Sequence, residues 1–200
     1  MDRIKNTIFK RLFKKELESY TESVQRQVDS IIRTNNANCR RKTALYDIMK
    51  RALDLDHQII LGYDQNKKGE EVFITCNKYL SDPDLYLYGN SYNKPGLYPR
   101  IMSELVTDYN SNPPTKSVHI DDIIAVKEDH GNGSILMPYF IECCKRIGAT
   151  YITGDLVPKD RNDSDRLEHF YQKFGFDVVY NDIRSKGNIK LVLNNSVQKL

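Results

Sequence analysis

The fold is decided by the stretch Val118-His119-Ile120-Asp121-Asp122-Ile123-Ile124-Ala125-Val126, which leads into Gly131-Asn132-Gly133-Ser134. Its apolar end, residues 123–126, predicts a buried strand, and residues 134–147 predict a helix that opens at Gly133. Free backbone N–H groups and the positive end of the helix dipole meet at this turn, and the two glycines let an anion approach closely. The turn therefore predicts a phosphate-binding site.

The predicted strand contains a break in its alternation. Val118 and Ile120 face the core with period two, so Asp122 should face it as well, yet Asp122 is charged and Ile123 is apolar. One extra residue near Asp121 and Asp122 would form a bulge, splay the strand from its neighbour and leave backbone groups unpaired for a ligand. An exposed edge or a simple strand start explains the pattern equally well.

The first third of the chain has a helical pattern. Apolar residues recur every three to five positions from Ile4 to Ile31 and predict an amphipathic helix that needs an apolar partner. The Asn-rich residues 35–38 predict a break, after which a second helix at 44–53 folds back as a helical hairpin. We expect residues 1–56 to form a helical extension and 57–200 the main domain, which contains the glycine turn. A homodimer through these helices is one option.

Residues 58–109 carry strand-like runs at 59–61, 72–75 and 85–88, which predict antiparallel strands. The segment 99–109 fits a helix or an edge strand. From Lys116 onward the order is strand, helix, strand, helix, strand, strand.

Composition indicates a globular protein of 200 residues with 40% apolar residues. No run approaches a membrane span, and charges interrupt the N-terminus, so we expect a cytoplasmic protein without a membrane partner. The four cysteines contain no Cys-x-x-Cys pair, which predicts reduced thiols and no metal. Residues 1–51 hold thirteen Lys and Arg against six Asp and Glu. A nucleic-acid partner is therefore an option, although a solvated helix face is favoured.

Two motifs resemble the GNAT superfamily of acetyl-CoA-dependent N-acetyltransferases. Gly131-Asn132-Gly133-Ser134-Ile135-Leu136 is similar to the family's pyrophosphate loop and the start of its helix. Leu167 to Phe176 is similar to the family's helix that ends in Tyr followed by Gly-Phe. The order of elements from Gln58 to Leu193 also resembles the family. The implied fold is a mixed, mostly antiparallel α/β sheet with flanking helices.

The resemblance implies transfer of acetyl from acetyl-CoA, as co-substrate, to an amine acceptor by direct attack. Backbone N–H groups near Ile124, Ala125 and Val126 would bind the thioester carbonyl, and those of the loop Gly131, Asn132, Gly133, Ser134 and Ile135 would bind the pyrophosphate. The acceptor is a small molecule, a peptide or an aminoacyl group.

The family's tyrosine corresponds to Tyr171, which would protonate the departing thiolate or hydrogen-bond its sulfur. Packing in the core is the other interpretation of this residue. Asp122 is our candidate base for the attacking amine, with Asp121, His119 and a water relay as alternatives.

The chain departs from the family at Glu128, where Gln or Arg is usual, and we expect this carboxylate to point away from the pyrophosphate. Two other functions remain open. A dinucleotide-binding enzyme would use Asp155, which ends the second strand about 20 residues after the glycines. A non-catalytic module would combine a degenerate acyl-CoA fold with a basic helical arm that binds nucleic acid or protein.

Overall fold

The computed structural model describes residues 14–54, 58–77, 82–92, 97–158 and 161–193. It contains three helices and eight strands within these ranges. The elements are α1 Lys14–Asp54, β1 Gln58–Gln65, β2 Glu71–Asn77, β3 Leu85–Gly89, β4 Arg100–Asp108, β5 Thr115–Ile124, α2 Asn132–Arg146, β6 Ala149–Leu156, α3 Arg161–Gln172, β7 Asp177–Tyr180 and β8 Gly187–Val192.

All eight strands form one sheet in the order β1-β2-β3-β4-β5-β6-β8-β7. Strands β1 to β5 are an antiparallel meander, β5 and β6 are parallel, and β6, β8 and β7 are again antiparallel. The parallel pair is joined by α2, as a crossover connection requires. The predicted mixed, mostly antiparallel sheet with flanking helices is confirmed.

The predicted N-terminal helical hairpin is wrong, because residues 14–54 form one continuous helix. The segment contains no Gly and no Pro, and an Asn in a helix interior costs at most about 0.7 kcal/mol relative to Ala. Two hydroxyls bond back to carbonyls four residues earlier: Thr34 Oγ1 donates to Ser30 O and Thr43 Oγ1 to Cys39 O. The Asn-rich stretch therefore extends the helix that it was expected to end.

The chain divides into two compact units between Tyr46 and Asp47. The predicted domain boundary at 56 and 57 lies outside the described residues. Within the first unit, Val24, Val28 and Ile31 are exposed along α1, and a homodimer through this face stays a prediction. No described helix combines the length and the apolar content that crossing a membrane requires.

The second unit has its main core between the sheet and helix α2. Leu136, Met137, Phe140 and Cys144 on α2 are fully buried, and α3 adds Tyr171. The strands contribute the rest of the apolar cluster: Val72, Ile74, Leu85, Leu87, Ile101, Val118, Ile120, Ile152 and Ile189. A smaller cluster joins the end of α1 to β3 through Ile48, Ala52, Tyr88 and Tyr98.

The ambiguous segment 99–109 contains β4, so the helical alternative is wrong. The edge-strand alternative is also wrong, because β4 lies between β3 and β5. Its register with β5 is long and runs from Arg100 opposite Ile124 to Asp108 opposite Thr115. An interior position explains why Ile101 is fully buried.

Candidate functional site

The predicted bulge is present in β5. Ser103 pairs with Ile120 and Met102 pairs with Asp122, so Asp121 is the extra residue. An extra residue bends the strand and shifts the phase of its side chains. Ile120 is accordingly buried, whereas Asp121 and Asp122 are both exposed.

The parallel pair β5–β6 separates at the same level. Its register ends at Ile120 opposite Gly154, although β5 continues to Ile124 and β6 to Leu156. Gly154 permits the close approach at this last position, because a Cβ there would lie 3.1 Å from the Ile120 carbonyl oxygen. Beyond it, the described strands leave a cleft with unpaired backbone along one side of β5.

Helix α2 begins beside this cleft. Gly131 is its N-cap in the left-handed conformation, with φ of 76°, and the first hydrogen bond within the helix runs from Ile135 N–H to Gly131 O, 3.1 Å. The N–H groups of Asn132, Gly133 and Ser134 therefore have no acceptor among the described residues. The first turn contains no acidic residue, so its positive dipole end is uncompensated.

The side chain of Asn132 joins the end of β5 to the start of α2. It is 1% exposed, and its Nδ2 donates to Ala125 O at 3.0 Å and to the Tyr92 hydroxyl at 2.9 Å. Asn132 Oδ1 is buried without a partner in the described part of the chain. The two hydrogen bonds of Nδ2 hold the loop in place. The backbone N–H is therefore the hydrogen-bond donor of Asn132 that remains for a ligand.

Tyr92 extends this network to His130, whose Nδ1 lies 2.8 Å from the Tyr92 hydroxyl. Because that hydroxyl accepts from Asn132, its own proton is available for His130 Nδ1. Burial raises the pKa of Tyr92, so the hydroxyl stays protonated. The ring nitrogen of His130 that faces Tyr92 is thus engaged in holding the loop.

Three of the predicted cofactor contacts lie at the end of the strand instead of within it. Ile124 is the last residue of β5, and Ala125 and Val126 follow it. The strand ends here because Val126 has a left-handed backbone with φ of 62°, and because Ala125 O accepts from Lys127 N–H at 2.7 Å. The predicted strand over 123–126 is therefore corrected to one that ends at 124.

Tyr171 lies at the end of α3 with its ring packed at right angles to Phe170 and Phe176. It is 5% exposed, and its hydroxyl makes no hydrogen bond to a described residue. Gly175, with φ of 84°, ends the turn, and Phe176 N–H donates to Tyr171 O at 3.2 Å. Local chain geometry thus fixes the orientation of this ring.

The structure brings Tyr171 and Asp122 into electrostatic reach of each other. Burial raises the pKa of Tyr171 above its ordinary range, and the Asp122 carboxylate raises it further. The alternative base His119 is half-buried and engaged, with its Nδ1 3.2 Å from Thr153 Oγ1. Among the candidates for the base, Asp122 is the carboxylate whose charge acts on the pKa of Tyr171.

Further carboxylates surround the bulge. Asp84 Oδ1 accepts from Ser103 N–H at 2.8 Å and Asp82 Oδ1 accepts from Leu105 N–H at 2.9 Å. Burial raises the pKa of Asp84, and the charges of Asp82 and Asp121 add to this effect. The bulge therefore lies in a region of negative potential.

Glu128 turns towards helix α3. Its carboxylate is 3.9 Å from the guanidinium of Arg166, which also binds Asp163 at 2.6 Å. That Glu128 points away from the pyrophosphate stays a prediction, and Arg166 is the partner that the structure gives its carboxylate. Both side chains are mostly exposed, so the pair contributes little to stability.

The contributions of Tyr92, Lys67 and Arg166 were not predicted from the sequence. Lys67 N–H donates to His130 O at 3.0 Å from the turn between β1 and β2. No local pattern marks these residues, because each acts on a segment far away in the chain. Among the described residues, no group of three or more His, Cys, Asp or Glu is arranged to hold a metal ion.

The strand order and the site together define a class. An antiparallel meander leads into a bulged strand, this strand separates from its parallel neighbour, and a helix with a Gly-x-Gly start lies between them. The chain has a GNAT-like fold. The dinucleotide-binding alternative needs parallel strands, but β5 has antiparallel β4 on one side and Asp155 pairs with antiparallel β8.

The chain belongs to the family of YocC from Bacillus subtilis (strain 168), an uncharacterized protein. The two are 30% identical over 156 residues, which span 74% of this chain and 86% of YocC. No family model matches the chain.

Several solved structures are similar to this chain at low identity. Naa50 of Arabidopsis thaliana, in complex with a bisubstrate analogue, is 16% identical with a TM-score of 0.41, over 55% of this chain and 72% of its own. A putative acetyltransferase of the GNAT family from Desulfovibrio desulfuricans is 12% identical with a TM-score of 0.38, over 55% and 68%. Naa20 of Chaetomium thermophilum is 12% identical with a TM-score of 0.37, over 77% and 75%. The class stated above rests on the strand pairing of this chain.

Proposed function

We propose that this protein is a cytoplasmic N-acetyltransferase that transfers acetyl from acetyl-CoA to an amine acceptor within a ternary complex. The observation that carries the proposal is the separation of β5 from β6 beyond Ile120 and Gly154. It provides a cleft with free backbone groups, an uncompensated helix start on one side and the Asp122–Tyr171 pair within electrostatic reach. A thioester with a phosphorylated carrier fits these three features.

In this proposal the backbone holds the cofactor. The N–H groups of Gly131 to Ser134 bind the pyrophosphate, and N–H groups from Ile124 to Val126 bind the thioester carbonyl as charge develops on its oxygen. Ile135, predicted as a further pyrophosphate contact, is left out because its N–H donates to Gly131 O. The pantetheine arm adds along the free side of β5 through main-chain hydrogen bonds. The amide of Asn132 keeps the strand end and the helix start at a fixed distance, which pre-organises both sets of donors.

The chemical step needs one base and one acid. Asp122 accepts a proton from the ammonium group of the acceptor, directly or through water, and the free amine nitrogen attacks the thioester carbon. A C–N bond forms and the C–S bond breaks as the tetrahedral intermediate collapses. Tyr171 gives its proton to the departing sulfur and recovers one from the nitrogen of the new amide, which leaves an acetylated amine and CoA with a free thiol.

The proposal is tested by thermal unfolding with acetyl-CoA and, separately, with NADH. Acetyl-CoA at 100 times its Kd should stabilise the protein by about 2.7 kcal/mol, whereas NADH should not. Gly133→Glu should abolish the stabilisation, because it adds a carboxylate at the helix start. Gly133→Ala is the matched control, because it adds a side chain without a charge and its Cβ would lie 3.4 Å from the Phe170 ring, which is an ordinary van der Waals distance.

Release of the CoA thiol in the presence of polyamines, peptides and arylalkylamines then identifies the acceptor class. A protein that is not stabilised by acetyl-CoA refutes the proposal. Salt-sensitive binding of nucleic acid by the full chain, without any response to acetyl-CoA, would instead favour the non-catalytic module with the basic helical arm.

A further inference from the structure

The turn between β1 and β2 is hydrogen-bonded to the residue that precedes the glycine loop. Asn66, 4% exposed, orders this turn: its Oδ1 accepts from Lys68 N–H at 3.0 Å and from Glu70 N–H at 3.1 Å. Lys67 N–H then donates to His130 O at 3.0 Å. The turn thus brings Lys67 to the residue that precedes Gly131, although 64 positions separate Lys67 from Gly131 along the chain.

The side chain of Lys67 passes over the N-cap of α2. A Cβ on Gly131 would lie 3.0 Å from Lys67 Cγ and 3.3 Å from Cε, so the aliphatic stem occupies the space that the glycine leaves open. The ammonium group is one bond beyond Cε. The stem therefore crosses the residue that precedes the first turn of α2, where the N–H groups of Asn132, Gly133 and Ser134 are free.

This position is electrostatically unfavourable in the protein alone. The N-terminus of a helix carries about half a positive charge, and a cation is favoured at the opposite end. The first turn of α2 has no acidic residue, and the two carboxylates of the preceding loop, Glu128 and Asp129, both interact with the charge of Arg166. Lys67 has no ion pair within the described residues. A bound anion would relieve the repulsion between the ammonium and the helix end.

We propose that Lys67 binds a phosphate group of the CoA carrier at the start of α2. This inference rests on the proposed function. The charge comes from a turn between two distant strands instead of from the loop itself. Lys67 is thus a binding residue for the cofactor, contributed across the sheet.

The test compares Lys67→Met with Lys68→Met, because both remove one charge from the same turn and keep an aliphatic stem. Titration calorimetry with CoA should show binding weakened about tenfold by Lys67→Met and less than about twofold by Lys68→Met. Lys67→Arg should restore most of the affinity. Binding of CoA by Lys67→Met should also depend less on salt than binding by the wild type.

CoA and 3′-dephospho-CoA distinguish the phosphates that Lys67 could contact. If Lys67→Met weakens both equally, the contact is with the pyrophosphate; if it weakens CoA alone, the contact is with the 3′-phosphate. Equal weakening by Lys67→Met and Lys68→Met, with CoA bound by the wild type, overturns this inference and leaves the proposed function intact. A wild type that binds no CoA overturns both.

Discussion

Replacing Tyr171 by Phe separates its chemical role from its packing role. The ring contacts with Phe170 at 5.1 Å and Phe176 at 5.4 Å remain in the variant. The hydroxyl has no hydrogen-bond partner among the described residues, so its removal should change the free energy of unfolding by less than about 1 kcal/mol. The variant should therefore fold and bind acetyl-CoA as the wild type does.

The effect on turnover follows from the proton that the sulfur needs. A positioned general acid contributes about 10²- to 10⁴-fold, which corresponds to about 2.7–5.4 kcal/mol of transition-state stabilisation. We expect Tyr171→Phe to lower kcat by this factor at saturating acceptor, measured as release of the CoA thiol. Calorimetry should give an unchanged Kd for acetyl-CoA, because the hydroxyl acts only in the transition state.

Tyr139→Phe is the matched control, because Tyr139 lies on α2 beside Gly62 of β1 and loses the same atom. Because burial and Asp122 raise the pKa of Tyr171 above its ordinary value of 10.0, the acid should remain protonated across the working range. The wild-type kcat should then show no loss from Tyr171 ionisation between about pH 7 and 10. Equal turnover by Tyr171→Phe and wild type would refute the acid role and leave Tyr171 as a packing residue.

Three further perturbations test other parts of the site. Ser134→Glu should stabilise the free protein by about 0.3–1 kcal/mol through the helix dipole, measured by thermal unfolding, and weaken the binding of acetyl-CoA by repulsion, measured by calorimetry. A variant that is more stable and also binds acetyl-CoA more tightly would contradict an anion site at this turn. Gly154→Ala should destabilise by about 1–3 kcal/mol in urea unfolding, because the new Cβ would meet Ile120 O and Ile189 Cδ1 at 3.1 Å; an unchanged midpoint would show that β5 and β6 can separate there at no cost. Asp84→Asn keeps an acceptor for Ser103 and should raise the melting temperature at pH 7. A folded-state pKa raised above 3.8 means that ionised Asp84 opposes folding, so the gain should vanish as the pH falls below about 3.8; a constant gain would contradict this cause.

The sequence predicted those backbone features of the candidate site that depend on neighbouring residues. The Gly131-to-Ser134 turn, the extra residue at Asp121 and the helix that ends before Gly175 are each set by neighbours within a few positions. Backbone requirements of this kind leave patterns in residue type: glycine where φ is positive, and broken alternation where a strand bulges. Such patterns can be recognised without knowing which strands are neighbours.

The sequence-based predictions failed where the competing free-energy terms are small, or where the deciding contacts join residues far apart in the chain. Residues 35–38 were expected to break α1, but the penalty for Asn is a few tenths of a kcal/mol per residue, and no Gly or Pro adds to it. Strand β4 was ambiguous because Ile101, Leu105 and Val106 suit either period over so short a segment. Tyr92 was unassigned because its contact with Asn132 spans 40 positions and depends on the tertiary fold.

The same long-range contacts give the cleft two sides of opposite charge. At the start of α2, free N–H groups and the stem of Lys67 meet while Glu128 faces Arg166, so this side favours anions. At the bulge, burial and then the charges of Asp82 and Asp121 raise the pKa of Asp84, and this group of carboxylates favours cations. A phosphorylated carrier and an ammonium group would then be drawn to opposite ends of one site. Their reacting atoms would meet between them, where β5 and β6 separate.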